Sequence, residues 1–434
     1  VTRPFHFPAV TWAELPGGLK VATVPVKGMP IVHVRVVVGG GQAADGERPG
    51  LAAVTADLLG EAGRLGALGA DLSIETGFDA TTLGLAVTRD RLGEALDQLA
   101  ATVQRPELTA AALDRVQKRE AGRLLLAART DAAWGASMVL YRDLFSLPSE
   151  HHPYATWSPA PDDVQKLTLA ECRGFHRRFY VPRNVAVILS GDTAPDMVAR
   201  VGKAFAGFTG GEAQVLSFTD PVAPEARKIT LVDRPGSAGS DVFVGALGPP
   251  PSDRSFAALA VASRLLGDAT VTELAHGPSV LVAHAHAAAT GAGDALQGLL
   301  DREGALAGKA EGTDAVDTAA RSLTGGLAVR LQTSGDVAGE VARLRALGLP
   351  DDHDDALRKE LGEITPALAL RAAGDAFRAG HEIIVVTGDA AVVGPALARF
   401  GEVKVVDPTR GFARVRTLPM DASPPKDTPR QAGR

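Results

Sequence analysis

Histidines, carboxylates and one thiol are the places where this chain could hold chemistry. Val282-Ala283-His284-Ala285-His286 sets two histidines two residues apart, and on a strand that spacing puts both on one face. With His276 close in sequence, they are the nearest approach to a metal-binding group, because imidazole is a common ligand for zinc. Such a pair is more often the polar side of a half-buried strand, and that reading is adopted here. Asp351-Asp352-His353-Asp354-Asp355 could bind a cation, but it lacks the glycine and terminal glutamate of a calcium loop. It is read as an exposed turn leading into a helix. Cys172 fits a small buried side chain better than a nucleophile. His151-His152-Pro153 leads into a turn and reads as structural, and His176 sits beside Arg177 and Arg178 on what reads as a solvated helix face. The glycines form neither G-x-x-x-x-G-K-[ST] nor a G-x-G-x-x-G after a strand, so nucleotide binding has no support.

The elements that carry these residues occur twice. Asn184-Val185-Ala186-Val187-Ile188-Leu189-Ser190-Gly191-Asp192 is an apolar strand running into a Gly-Asp turn, and Glu382-Ile383-Ile384-Val385-Val386-Thr387-Gly388-Asp389 repeats it. An amphipathic helix follows each, over Met197–Phe208 and Ala391–Phe400. Another precedes each, with Thr168 and Thr365 as expected N-caps and Pro366 at the first helical position. Strands are expected at Val21–Pro25 and Ile31–Val38 around Lys27-Gly28, and at Ile229–Val232 and Val242–Ala246 around Pro235-Gly236. Mixed runs of strand and helix favour an α+β fold of two similar domains over a parallel doubly wound sheet. A repeat this long is a duplicated domain. The expected division is 1–212, a linker over 213–226, 227–416, and a disordered tail over 417–434 that carries Pro424, Pro425 and Pro429.

Composition narrows the function classes. The chain has 434 residues, 45% of them hydrophobic, and a formal net charge of −6, which suits a globular protein with sizeable cores. That charge gives no reason to expect nucleic acid as a partner. No stretch approaches the ~18–20 consecutive apolar residues of a membrane span. One cysteine excludes an internal disulfide framework. Val1-Thr2-Arg3-Pro4 shows no apolar signal region, as a cleaved signal would also leave it. The Ala- and Gly-rich composition suggests a bacterial source, with the cytoplasm and the periplasm both open.

Several runs together resemble one family. They are His152-Pro153-Tyr154; Asp162-Asp163-Val164-Gln165-Lys166-Leu167-Thr168; Phe175-His176-Arg177-Arg178-Phe179-Tyr180-Val181-Pro182-Arg183-Asn184; and Gly50-Leu51-Ala52-Ala53. In the second half, Val232-Asp233-Arg234-Pro235-Gly236, Leu265-Leu266-Gly267 and Val385-Val386-Thr387-Gly388-Asp389 match too. In order and spacing they resemble the pitrilysin/insulinase zinc metallopeptidases, in the two-domain branch that includes the mitochondrial processing peptidase. The resemblance implies two similar domains, each a largely antiparallel sheet with helices on one face.

That family's chemistry uses H-x-x-E-H on a helix: the two histidines bind zinc, the glutamate activates the metal-bound water, and a later glutamate completes the ligands. The resemblance puts Ala53 and Asp57 on the histidine positions, Ala56 on the catalytic glutamate and Arg123 on the late glutamate. No H-x-x-E-H occurs anywhere in the chain. After Gly63 the chain also lacks about three helical turns that relatives usually carry. In two-chain relatives, the subunit without zinc often offers an Arg and a Tyr to substrate carbonyls from the region matching Val271–Val280. Here Val280 stands at the Tyr position and neither residue is present.

The resemblance therefore implies no cofactor in this chain and no catalytic residue. Zinc is expected only in a homologous partner subunit, with which this chain forms a heterodimer around an extended peptide. Two alternatives stand beside it: a scaffold or assembly protein of the same fold, and a metallopeptidase with an unorthodox site built around Asp57.

Overall fold

The computed structural model describes residues 7–62, 70–148 and 150–421. The shortened stretch after Gly63 and the proline-rich tail from residue 422 lie outside the described residues. The first half holds strands β1 (Thr11–Glu14), β2 (Lys20–Pro25), β3 (Ile31–Val38), β4 (Ser73–Thr76), β5 (Thr81–Thr88) and β6 (Val185–Gly191). Its helices are α1 (Leu51–Ala62), α2 (Leu92–Gln104), α3 (Ala110–Thr130), α4 (Ala132–Leu144), α5 (Pro161–Lys166), α6 (Leu169–Phe179) and α7 (Met197–Ala204). The second half holds β7 (Lys228–Asp233), β8 (Gly239–Gly248), β9 (Ala269–Thr272), β10 (Ser279–Ala288), β11 (Ile383–Gly388), β12 (Val403–Asp407) and β13 (Ala413–Leu418). Its helices are α8 (Phe256–Leu266), α9 (Ala292–Gly308), α10 (Thr313–Val329), α11 (Ser334–Ala346), α12 (His353–Leu361), α13 (Pro366–Ala376) and α14 (Ala390–Leu397).

The two sheets repeat each other. The first is ordered β1-β2-β6-β3-β5-β4 and the second β13-β12-β7-β11-β8-β10-β9. In each, the late strand (β6 or β11) enters between the two early ones, parallel to one and antiparallel to the other. The turns at Lys27-Gly28 and Pro235-Gly236 therefore join strands that are not neighbours. Burial drives the insertion, since every residue of β6 and β11 is buried, as expected of a strand covered on both faces. The architecture is α+β in two similar parts. Thr417 and Leu418, assigned to the tail on sequence, instead pair with Lys404 and Val403 at the edge of the second sheet, because Leu418 packs against the second half's core.

Period-two patterning decides which helices each face meets. Val32, Val34, Val36 and Val38 of β3 turn toward the first half's own helices. Val37 and Ile188, on the opposite face, pack with Val337, Ala338 and Val341 of α11, which belongs to the second half. The exchange is reciprocal: α4, from the first half, lays Ala136, Val139 and Leu140 against Ile383 and Val385 of β11. Glycine permits both approaches. A Cβ on Gly245 of β8 would sit 2.7 Å from Leu140, and one on Gly335 of α11 would sit 2.9 Å from the His33 ring.

Capping fixes the helix starts that the sequence marks. Thr168 accepts from the Glu171 amide at 3.3 Å while Glu171 returns a bond to the Thr168 amide, a full capping box. Thr365 accepts from the Leu368 amide at 3.3 Å ahead of Pro366.

Candidate functional site

The positions that would hold chemistry by family resemblance lie where α1 crosses α3. Helix α1 starts after Gly50, whose φ of +87° suits glycine. The buried Asp45 carboxylate accepts from the amides of Gly50 and Ala52, each at 2.7 Å, satisfying donors that the first turn leaves free. Burial outweighs those bonds and pushes the Asp45 pKa up to about 7. Helix α3 starts on Thr109, which accepts from the Ala112 amide at 3.2 Å.

The two helices meet through an ion-pair ladder. Arg119 reaches Asp57 at 3.1 Å and Glu61 at 2.9 Å, and Arg115 reaches Glu61 at 3.0 Å. Successive rungs are one helical turn apart on each helix and run in opposite directions. Continued by a turn, the ladder sets Arg123 level with Ala53, and Arg123 itself bonds Glu120 at 2.8 Å. Burial, and after it the charge of Glu120, holds the Asp57 pKa above the ordinary carboxylate range, against the pull of Arg119 and Arg123. Arginine bonding depresses that of Glu61. The side chains are partly exposed, so each rung contributes at most about 1 kcal/mol.

Ala53 and Ala56 offer only methyl groups, and Asp57, at the remaining α1 position, is already bonded to the Arg119 guanidinium. This set does not fit a zinc ion, which needs three or four nitrogen, sulfur or oxygen ligands. Sequence reasoning missed Arg119 and Glu120. The stretch shortened after Gly63 upsets any count of spacing from α1 to α3, and only the i, i+4 repeat of Arg115, Arg119 and Arg123 could have pointed to them.

The region matching the family's substrate-binding Arg and Tyr is committed elsewhere. Glu273 pairs with Arg343 of α11. The Ala275 amide donates to Asp79 at 3.0 Å, and the His276 amide donates to the Tyr154 hydroxyl at 3.0 Å. Tyr154 donates in turn to Asp79. Val280 is fully buried among residues of α4 and the Tyr154 cluster. The segment therefore ties the second half to Asp79 and Tyr154 of the first, and the structural reading of His152-Pro153-Tyr154 holds. His152 accepts from the Tyr154 amide at 3.0 Å.

The other candidates are placed as follows. His284 and His286 do share a face, and both reach Asp241, at 3.1 and 2.9 Å, with Asp268 also 3.1 Å from His284. His276 does not join them, since its ring packs edge-on against Phe218. Among the described residues no group of three or more His, Cys, Asp or Glu side chains could hold a metal. His176 corrects its sequence reading. It is buried, with its Nε2 2.8 Å from the Val103 carbonyl and its ring stacked on Tyr180, while Arg177 and Arg178 are exposed. The acidic run at 351–355 starts a helix as expected but is not an exposed turn. His353 and Asp354 are buried, Asp354 lies 3.2 Å from Arg343, and Asp351 accepts from the Trp12 indole at 2.7 Å. Cys172 is buried, and burial raises its thiol pKa.

With this geometry in place, the comparisons with known proteins are informative. Residues 166–291 match the family model described as the peptidase M16 inactive domain. A peptidase M16 inactive domain from Pseudomonas fluorescens shares the fold with a TM-score of 0.78 at 20% identity, covering 88% of this chain and 98% of that one. A protease from Helicobacter pylori aligns with a TM-score of 0.76 at 20% identity, over 88% of this chain and all of its own (100%). A chain of Complex III2 from Candida albicans aligns with a TM-score of 0.70 at 15% identity, over 88% and 96%. No curated protein gives a significant sequence match.

Proposed function

We propose that this chain is a member of the M16 peptidase family, whose inactive-domain model matches residues 166–291, and that it is the silent half of a two-chain peptidase. In this reading it pairs with a zinc-bearing homologue and completes a chamber that binds extended peptides. The observation that carries it is the α1–α3 junction, where two methyl groups and the Asp57–Arg119 ion pair stand at the positions that the resemblance assigns to zinc chemistry. A complete fold without such donors supports a role in shape and association. An extended peptide needs chiefly backbone partners at a sheet edge, so a chain without zinc can still line such a chamber.

The second reading is a scaffold subunit with no peptidase role. The shared fold with a Complex III2 chain favours it.

Recovery of the native complex decides between them. The subunit reading expects a one-to-one assembly with a zinc-bearing homologue, no peptide hydrolysis by this chain alone, and a fall in the partner's activity when this chain is removed. Undiminished activity of the homologue without this chain would sink it. A zinc-free assembly lacking any such homologue would favour the scaffold.

A further inference from the structure

A cavity of about 640 Å³ opens at one end of the second sheet, away from the α1–α3 junction. Strand β11 begins at Ile383 opposite Gly245, so the last residues of β8, Ala246–Gly248, pair with β10 alone. The cavity lies beside that unpaired edge, walled by apolar groups that include Leu144, Leu247 and Phe377. Cavities of this size and lining suit small organic ligands.

One wall residue does not fit an apolar void. Glu303 of α9 is only 3% exposed, and its Oε1 is buried with no hydrogen-bond partner. A buried carboxylate without a partner costs several kcal/mol. Its neighbour Glu382 is already satisfied, held by Arg227 at 2.8 and 3.1 Å and by the Gly380 amide at 3.1 Å. Glu303 Oε1 is left without a hydrogen-bond partner. The wall's further charged groups are Asp220, Asp375 and Arg378, with His276 and His381 beside them.

We propose that this cavity binds a small organic cation, an amine or guanidine on an aliphatic stem, with Glu303 as its counter-ion and the apolar wall around the stem. The inference goes beyond the subunit reading and does not depend on it, because the test uses this chain alone.

The site should respond to pH. Burial, and then the charge of Glu382, pushes the Glu303 pKa up to about 8, against the attraction of Arg227 and Arg302. At neutral pH the free protein therefore holds the proton, and a bound cation displaces it. Affinity should rise about fifty-fold between pH 6 and pH 8, following the ionised fraction of Glu303, with proton release on binding below pH 8.

Calorimetric titration of the full chain with agmatine and with hexylamine tests this, in two buffers that differ in ionisation enthalpy. Binding with that pH dependence is expected. Glu303→Gln should lower affinity at least tenfold and flatten the pH profile while leaving the Tm in place. Ser252→Trp, at the exposed rim, should block entry with Glu303 intact, and it serves if the glutamine variant folds poorly. An acetylated peptide carrying one lysine separates the sources. Binding of the free amines assigns a small molecule, and binding of the peptide alone assigns a protein side chain. No binding of any probe at 10 mM (about −2.7 kcal/mol), or equal binding by Glu303→Gln, overturns the proposal.

Discussion

Tyr154→Ala should destabilise the protein by roughly 4–6 kcal/mol and loosen the two halves from each other. The ring is fully buried and meets Phe78, Phe145 and Phe218 at centroid distances of 5.3, 5.5 and 5.4 Å. Emptying such a site costs about 3–5 kcal/mol in transfer and cavity energy. The hydroxyl adds about 1 kcal/mol to that, because Asp79 loses one donor and the His276 amide its acceptor, both bonds being only partly buried. Tyr154→Phe isolates the second contribution and should cost only that smaller amount. Urea unfolding of both variants, read beside limited proteolysis of the segment around residue 276, checks the pair. Equal stability of Tyr154→Ala and the parent would show that the aromatic cluster does not join the halves.

Arg343→Met should cost about 3–5 kcal/mol, as expected when one partner of a buried charge group is deleted. The guanidinium lies between Glu273, Glu340 and Asp354, whose side chains are 21%, 8% and 6% exposed. Methionine fills the volume but leaves three neighbouring carboxylates to face one another. Burial, with Glu340 beside it, already raises the Asp354 pKa to about 6 even with the arginine present. Without Arg343 the raised Asp354 and Glu273 pKa values rise further above their unfolded values, and Glu340, which the arginine holds below its ordinary value, rises as well. The folded variant then holds more protons than the unfolded chain across the window from about pH 4 upward, so its stability falls as pH rises. The deficit should therefore be largest at pH 7–8 and shrink near pH 5. A deficit independent of pH would mean that lost packing, and not unpaired charge, carries the effect. Arg343 also fastens α11 to Glu273, so the first sheet should lose cover when it goes.

How much of this could be read from the sequence follows the range of the interactions. Local signals read well. Thr168 and Thr365 cap their helices because the capping partners lie within four residues. The two Gly-Asp turns mark the ends of β6 and β11 because burial on both faces leaves an unbroken apolar run. Long-range choices did not read. An amphipathic helix such as α4 or α11 announces an apolar stripe but not the sheet that receives it. The acids of Asp354 and Asp351 look like a solvated run until Arg343 and Trp12 arrive from distant segments. His176 looks exposed beside two arginines until the carbonyl of Val103, in another helix, is placed against its ring. At the candidate site the absence of H-x-x-E-H is plain in the sequence, whereas the residue that faces Asp57 depended on the shortened stretch between the helices.

The reciprocal loan of α4 and α11 sets a timetable for the newborn chain. The far face of the first sheet stays bare until α11 leaves the ribosome, and α4 lacks the central strand it packs on until β11 is made, in the last quarter of the chain. Contacts of such long sequence separation form late and slowly. Until then two apolar surfaces stand open to other molecules, the condition in which chains aggregate or recruit chaperones. Neither half, made alone, could finish its own sandwich.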